Sequence, residues 1–210
     1  MEFTADQVWG AAAAAHRINE GYLKEDVWNY NSPAAFLSKM ANKHMVKKWL
    51  REQDFSELTE QDILEGQRIR GHFKGYTLMA IRGPLNDFQA QALRIASMDT
   101  FTGRNMLEFA IVSCLPSVAE RDSVRNNIKK EIYASEQLNA VEGEAIVGEV
   151  EVVSSKYSAT YNKYRITGRM GESFVDFWFS KDLKDTVKIK AKVKNCRGDK
   201  TTQLNYVKIA

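Results

Sequence analysis

Residues 186–195, TVKIKAKVKN, alternate from Val187 onward between apolar or neutral side chains and cationic ones. Successive side chains of a β-strand point to opposite faces, so this segment predicts a strand with one apolar and one cationic face. The apolar face consists of Val187, Ile189, Ala191 and Val193, and the cationic face of Lys188, Lys190, Lys192 and Lys194. Like charges in a row repel one another unless solvent screens them or an anion pairs with them. The row therefore indicates either a solvated sheet face or a surface for phosphate.

The same period of two continues over the last third of the chain, after residue 143. It predicts five strands, at 146–155, 160–169, 173–180, 186–195 and 202–209. The links between them are short and contain turn-forming residues. Five short strands in a small basic module are typical of an OB-fold, although other five-stranded barrels or sandwiches share this pattern.

The first part of the chain has helical periodicity and recognisable helix starts. It predicts helices at 32–53, 59–83, 86–99 and 117–138, with candidate N-caps at Ser32, Thr59, Asn86 and Ser117. Pro33 would occupy the first helical position of the first of these helices. The predicted fold class is therefore α+β, with a helical N-terminal domain over 1–140 and a C-terminal five-stranded OB-fold-like β-barrel over 144–210.

Charge is distributed unevenly over the 210 residues, whose formal net charge is +3. Residues 144–210 hold 13 Lys and Arg against 8 Asp and Glu, whereas residues 1–143 hold 17 against 19. This asymmetry favours a polyanion as the partner of the C-terminal part.

Cysteine and histidine usage argues against a disulfide scaffold or a metal site. Cys114 and Cys196 are far apart, and the three histidines are scattered and predicted to pack or to cap helices. The acidic start MEFTADQ is unlike a signal peptide, and the apolar run VWGAAAAAH is too short to span a bilayer. We therefore expect a soluble cytoplasmic protein without a cofactor or membrane contact.

The common catalytic motifs of nucleotide hydrolases, zinc proteases and serine hydrolases are missing from the sequence. This predicts a non-enzymatic protein without catalytic residues. A phosphodiesterase with an unfamiliar site remains an alternative.

Strands 2 and 3 of the predicted barrel combine aromatic and cationic side chains. Val175, Phe177 and Phe179 share one parity and can fill the core, so the other parity would carry aromatics on the outer face. Single-stranded nucleic acid needs this mixture, because bases stack on aromatic rings and phosphates pair with cations. The predicted nucleic-acid-binding residues are Tyr161, Lys163, Arg165, Phe174 and Trp178 on this face, Lys156 and Tyr157 in the 1–2 loop, Arg197 and Lys200 in the 4–5 loop, and Lys188, Lys190, Lys192 and Lys194 on strand 4.

Each of these features also has a simpler interpretation. Trp178 could pack on the helical domain, and the lysine row could serve only solubility or protect a sheet edge. Lys39, Lys43, Lys47 and Arg51 recur every four residues on a predicted helix and are most simply a solvent face. If that stripe does bind a ligand, double-stranded or structured RNA is the alternative partner.

The segment KDTVKIKAKVKNCRGDKTTQLNYVKI resembles the end of OB-type modules in bacteriophage replication and recombination proteins. The matching positions are Val187, Ile189, Ala191, Val193 and Lys194, then Gly198, then Thr202, Gln203 and Leu204. The segments LTEQDILEGQRIRGHF and LNDFQAQAL are similar to helices that accompany such modules. The resemblance covers residues 144–209, and residues 58–93 more loosely. The loop NCRGDK lacks the His and aromatic residue of those modules, and the sequence ends in NYVKIA, which differs from the acidic stretch typical of replicative single-strand binders.

This resemblance implies a phage-encoded protein that binds single-stranded DNA in the host cytoplasm, with RNA as a further ligand. Its implied partners are replication or recombination proteins. The alternative is a protein-interaction adaptor, in which the barrel docks another protein and the lysines only provide solubility. Exposed aromatics on strands 2 and 3 would favour the first hypothesis, and aromatics covered by helices would favour the second.

Overall fold

The computed structural model describes residues 1–30, 35–103, 105–196 and 200–210. The chain divides into two compact units, Met1–Ser123 and Val124–Ala210. The boundary between the units falls inside one long helix, so the last turns of that helix belong to the second unit.

The first unit contains helices and two small antiparallel sheets. Its helices are α1 (Ala5–Ile18), α2 (Asn42–Glu52), α3 (Glu60–Lys74), α4 (Tyr76–Arg82), α5 (Asp87–Ser97) and the first part of α6 (Met106–Ala134). Its strands are β1 (Glu2–Thr4), β2 (Val27–Asn29), β3 (Phe36–Lys39) and β4 (Thr100–Thr102), paired β1 with β4 and β2 with β3. The predicted N-caps Thr59 and Asn86 are confirmed, and each forms a capping box with the residue three positions later.

The helix predicted over 32–53 is wrong in its first half. Phe36–Lys39 form β3, which pairs with Val27–Asn29, and helix begins only at Asn42. Pairing with an upstream strand outweighs the local helical pattern, as tertiary context often does. The predicted cap Ser32 and the predicted first helical residue Pro33 lie outside the described residues.

The cationic helix stripe is also shorter than predicted, because Lys39 lies on β3. The remaining members Lys43, Lys47 and Arg51 are on α2. Lys43 bridges Glu25 at 3.1 Å and Arg51 bridges Glu52 at 3.1 Å. Ion pairs with neighbouring carboxylates agree with the simpler interpretation of this stripe as a solvent face.

The predicted cap at Ser117 is wrong, because α6 begins at Met106 and continues through Pro116. A proline inside a helix removes one hydrogen bond and costs about 3 kcal/mol. Phe109 and Leu115, on the turns before Pro116, and Ala119, on the turn after it, are buried in the core of the first unit. Burial of apolar side chains on both sides of the proline stabilises the longer helix.

Helix α1 owes its position to small side chains. Its run of alanines at positions 11–15 is fully or almost fully buried. Gly66 of α3 lies against the α1 backbone, where a Cβ added at Gly66 would be 2.6 Å from the carbonyl carbon of Trp9 and 2.7 Å from the amide nitrogen of Gly10. The two helices can therefore approach closely only because position 66 carries no side chain.

We expect Gly66→Ala to destabilise the first unit by about 3 kcal/mol, the upper end of overpacking costs, because the added methyl group meets backbone rather than a movable side chain. Gly71→Ala on the same helix is the matched control. A Cβ at Gly71 has no neighbour within 4 Å, so helix propensity should stabilise that variant by up to about 1 kcal/mol. Urea denaturation followed by circular dichroism measures both values, and equal stability of the two variants would contradict the close approach.

The second unit is a closed five-stranded barrel. Its strands are β5 (Ala145–Ser158), β6 (Lys163–Met170), β7 (Ser173–Phe179), β8 (Thr186–Cys196) and β9 (Thr201–Ile209), in the order β5-β6-β7-β9-β8. All neighbours are antiparallel except β7 and β9, which are parallel. The predicted α+β class with an OB-fold-like barrel is confirmed, and each strand agrees with its predicted range to within three residues.

The barrel core includes Val175 and Phe177, which were predicted to fill it, and Ile189, Ala191 and Val193 of the predicted apolar face of β8. Its other members are Val150, Ile166 and Leu204. Among the helices that the structure describes, none combines the length and the apolarity needed to cross a membrane.

Candidate nucleic-acid interface

An open groove lies on the outer surface of the barrel where β7 and β9 separate. These strands pair only over Phe174–Asp176 and Thr201–Gln203, and then diverge. The groove has a volume of about 690 Å³ and is lined by Tyr161, Lys163, Arg165, Trp178, Lys194, Gln203, Leu204, Asn205, Tyr206 and Val207. Five of these ten residues were predicted from the sequence, namely Tyr161, Lys163, Arg165, Trp178 and Lys194.

Two aromatic side chains form one wall of the groove. The ring centroids of Tyr161 and Trp178 are 4.8 Å apart, with an angle of 51° between the ring planes. Tyr161 lies in the turn before β6 and is 63% exposed, and Trp178 on β7 is half-buried. Each ring is therefore supported by the other, and the pair offers an aromatic surface to a ligand.

The cations at the groove differ in how they are paired. Lys163 and Lys194 are exposed and have no ion-pair partner in the part of the chain that the structure describes. Arg165 instead bridges the buried carboxylate of Asp176, with Nη2 2.7 Å from Oδ2. Lys163 and Lys194 are thus available for phosphates, whereas Arg165 is held in place and its charge is partly compensated.

Phe174 has the predicted outward parity, but it is only 1% exposed and is not available for stacking. The guanidinium of Arg169 lies over its ring, 5.4 Å from the centroid. Arg169 in turn forms an ion pair with Glu131 of α6 at 2.7 Å. After the end of α6, Glu136 forms an isolated parallel β-bridge with Ser173 of β7. The end of α6 and the segment after it therefore cover this end of the outer face.

Lys156 and Tyr157 were predicted in the 1–2 loop but belong to β5, where they pair with Arg165 and Tyr164 of β6. The hairpin extends to Ser158, which shortens the loop to residues 159–162. Tyr157 donates its hydroxyl hydrogen to Asn162 at 2.7 Å and lies at the end of the hairpin, away from the groove lining. Lys156 faces outward into a different pocket.

The lysine row lies on the outside of β8, as the alternating pattern predicts. All four side chains are exposed, and Lys194 lines the groove. Lys190 stands beside Lys208 of β9, whereas Lys188 stands beside Glu149 of β5. Lys188 is therefore partly neutralised by a neighbouring carboxylate, whereas Lys190 has a second cation beside it.

Lys200, which was predicted in the 4–5 loop, does not line this groove. Lys200 donates from Nζ to the carbonyl of Ser135 at 3.1 Å, next to the end of α6. Arg197 lies outside the described residues.

Five groove residues, all on β9, were missed by the sequence reasoning, namely Gln203, Leu204, Asn205, Tyr206 and Val207. Tyr206 is 80% exposed and has a positive φ of 52°. This left-handed conformation is costly for a bulky residue and tends to persist at functional sites. The alternation of β9 breaks near Tyr206, where the pairing with β8 changes register between Lys190 and Lys192. The uneven pattern of TQLNYVKI is the one sequence signal for this irregularity.

Tyr206→Gly is expected to weaken oligonucleotide binding without lowering the stability of the fold. Glycine adopts positive φ without strain, so the free energy of unfolding should stay equal or rise by up to about 1 kcal/mol. If Tyr206 stacks on a base, the affinity for an oligonucleotide should fall by about 1–3 kcal/mol. The measurements are thermal unfolding and fluorescence anisotropy with labelled oligo(dT).

The matched control is Tyr30→Gly, which removes a ring that is 76% exposed in the first unit. It should leave oligonucleotide affinity unchanged. Parental affinity of Tyr206→Gly would remove Tyr206 from the binding surface.

Comparisons with known proteins identify no family for this chain. No protein-family model matches it, and no solved structure matches it. Over 196 residues it is 25% identical to autophagy-related protein 11 of Vanderwaltozyma polyspora, a similarity that covers 91% of this chain. The chain spans only 13% of the length of that protein.

Proposed function

We propose that the barrel unit binds single-stranded nucleic acid in the groove between β7 and β9, with DNA as the expected ligand. The observation that carries this proposal is the aromatic pair Tyr161 and Trp178, open on a groove whose rim carries Lys163 and Lys194. Aromatic rings provide stacking surfaces for bases of any sequence, and unpaired lysines neutralise phosphates. No cleavage chemistry is part of the proposal.

The groove also fits the way in which OB-folds bind oligonucleotides, on the face of their second and third strands. In this barrel these strands are β6 and β7, which supply Lys163, Arg165 and Trp178. The resemblance to phage OB-type modules is the ground for proposing a role in DNA replication or recombination. The name of the similar protein, autophagy-related protein 11, states a process and no ligand. This similarity therefore does not favour a ligand other than single-stranded nucleic acid.

The proposal is tested by titrating the full chain with an oligo(dT) of ~30 nucleotides at low salt and at ~300 mM salt, following tryptophan fluorescence. We expect quenching and an affinity that falls as salt rises. Trp178→Phe, run in parallel, should lose most of the quenching while keeping most of the affinity. Absence of binding at low salt would overturn the proposal. An equal titration with oligo(rU) compares DNA with RNA.

A protein-interaction adaptor is the second candidate function. It is favoured by exposed apolar side chains on α4 of the first unit, where Leu78 is 65% and Ile81 is 77% exposed. Exposed apolar clusters often mark contacts with other proteins. Absence of oligonucleotide binding at low salt would favour the adaptor function.

A further inference from the structure

A second pocket of the barrel unit lies between the last turns of α6 and the outer face of β5 and β6. Its volume is about 250 Å³. Four cationic side chains line it, namely Arg125 and Lys129 of α6, Lys156 of β5 and Arg165 of β6. The hydroxyl groups of Ser154 and Thr167 add hydrogen-bond donors.

Positive charge in this pocket exceeds negative charge. Among the residues that the structure describes, Asp176 is the one carboxylate of the lining, and it already bridges Arg165 at 2.7 Å. Within the described residues, Arg125, Lys129 and Lys156 form no ion pair. Burial, together with the positive charges of Arg125 and Arg165, lowers the pKa of the Lys156 ammonium. The charges of Arg125 and Arg165 thus disfavour the charged form of Lys156, and an anion between these side chains would offset that repulsion.

We infer that this pocket binds one phosphate group, with Arg125, Lys129 and Lys156 as its cationic ligands. Arg165, oriented by Asp176, supplies a further guanidinium donor. Arginines suit a tetrahedral oxyanion because their donors form a planar fork, and lysines add point charges.

The pocket is connected with the groove through one residue. Arg165 lines both cavities. On the proposed function, which this step assumes, a strand whose bases stack on Tyr161 and Trp178 would place a backbone phosphate in the pocket. A free phosphate ion has the same chemistry and is the other source of the group.

Two ligands and one pair of variants test the inference on the full chain. The double variant Lys129→Gln and Lys156→Gln removes two of the proposed ligands. The control is Lys130→Gln, which changes an exposed neighbour on α6 that does not line the pocket. The probes are inorganic phosphate and labelled oligo(dT). Each titration is compared with one in which chloride replaces the probe at equal ionic strength. Amide NMR shifts report on phosphate, and anisotropy reports on oligo(dT).

We expect phosphate to shift the amides of Lys129 and Lys156 saturably in the parent and in Lys130→Gln, with at least a tenfold loss of affinity in the double variant. For oligo(dT), the slope of log K against log salt should become shallower by about 0.7 in the double variant, because the pocket holds one phosphate. Loss of phosphate binding with parental oligo(dT) binding would support a site for free phosphate. Equal response of the double variant and the control to both probes would overturn the inference.

The two proposals can fail separately. If the parent does not bind oligo(dT), the proposed function fails, and the phosphate titration still decides on the pocket. If oligo(dT) binds and the double substitution changes the binding of neither ligand, the inference about the pocket fails while the proposed function of the groove stands.

Discussion

Replacing Trp178 with alanine is expected to weaken oligo(dT) binding by about 1–3 kcal/mol, a 5- to 150-fold loss of affinity. Trp178 forms the wall of the groove together with Tyr161, at a centroid distance of 4.8 Å. Its removal takes away one stacking surface and also the support of the tyrosine ring. Because no charge is lost, the dependence of affinity on salt should remain close to that of the parent. Anisotropy with labelled oligo(dT) at several salt concentrations measures both quantities.

The matched control is Trp28→Ala, which removes a tryptophan that is 48% exposed in the first unit. It should bind as the parent does. Phe174→Ala is unsuitable as a stacking test, because Phe174 is buried and its removal should destabilise the fold by about 3–5 kcal/mol. If Trp178→Ala and Trp28→Ala bind with equal affinity, the bases do not stack in this groove.

Removing the two unpaired lysines of the groove, Lys163→Ala with Lys194→Ala, should change the salt dependence instead. For a single strand each lost phosphate contact makes the slope of log K against log salt shallower by about 0.7, so the double variant should lose about 1.4. Extrapolated from 1 M salt, the same loss corresponds to roughly a 65-fold weaker affinity at ~50 mM salt. At high salt the variant and the parent should converge.

The control for this variant is Lys24→Ala with Lys48→Ala, which removes two exposed lysines of the first unit and the same net charge. Its slope should match that of the parent. An equal change of slope in both double variants would show that net charge, and not the groove, sets the salt dependence. Together, the tryptophan and lysine variants separate stacking from phosphate contacts, since only the second kind of contact responds to salt.

The barrel strands could be predicted from sequence because alternation is a local property. The alternation over Val187 to Lys194 assigns each side chain to one face of the strand. This assignment does not depend on where the next strand lies. Capping boxes such as that of Thr59 are local in the same sense. The helices were predicted less well where distant contacts intervene. Pro116 stays inside α6, and Phe36–Lys39 form a strand with an upstream partner.

The sequence predicted that the candidate site would combine aromatic and cationic residues, but it identified only some of the residues that line the groove. Phe174 and Trp178 have the same parity on the same strand, and the alternating pattern assigns both to the outer face. The structure covers Phe174 with Arg169 and the end of α6, and leaves Trp178 in a groove where β7 and β9 separate. Tyr206 entered the site through an irregularity of β9 that an alternating pattern does not predict.

The sequence by itself determined the α+β class, the five strands, the cationic outer face of β8 and the aromatic and basic composition of β6 and β7. These follow from the spacing of neighbouring residues, which is set by backbone geometry. Only the tertiary structure decided which of those side chains are open to a ligand. Accessibility depends on which distant segments lie against a face, here the last turns of α6 and the diverging end of β9, and no local pattern contains that information.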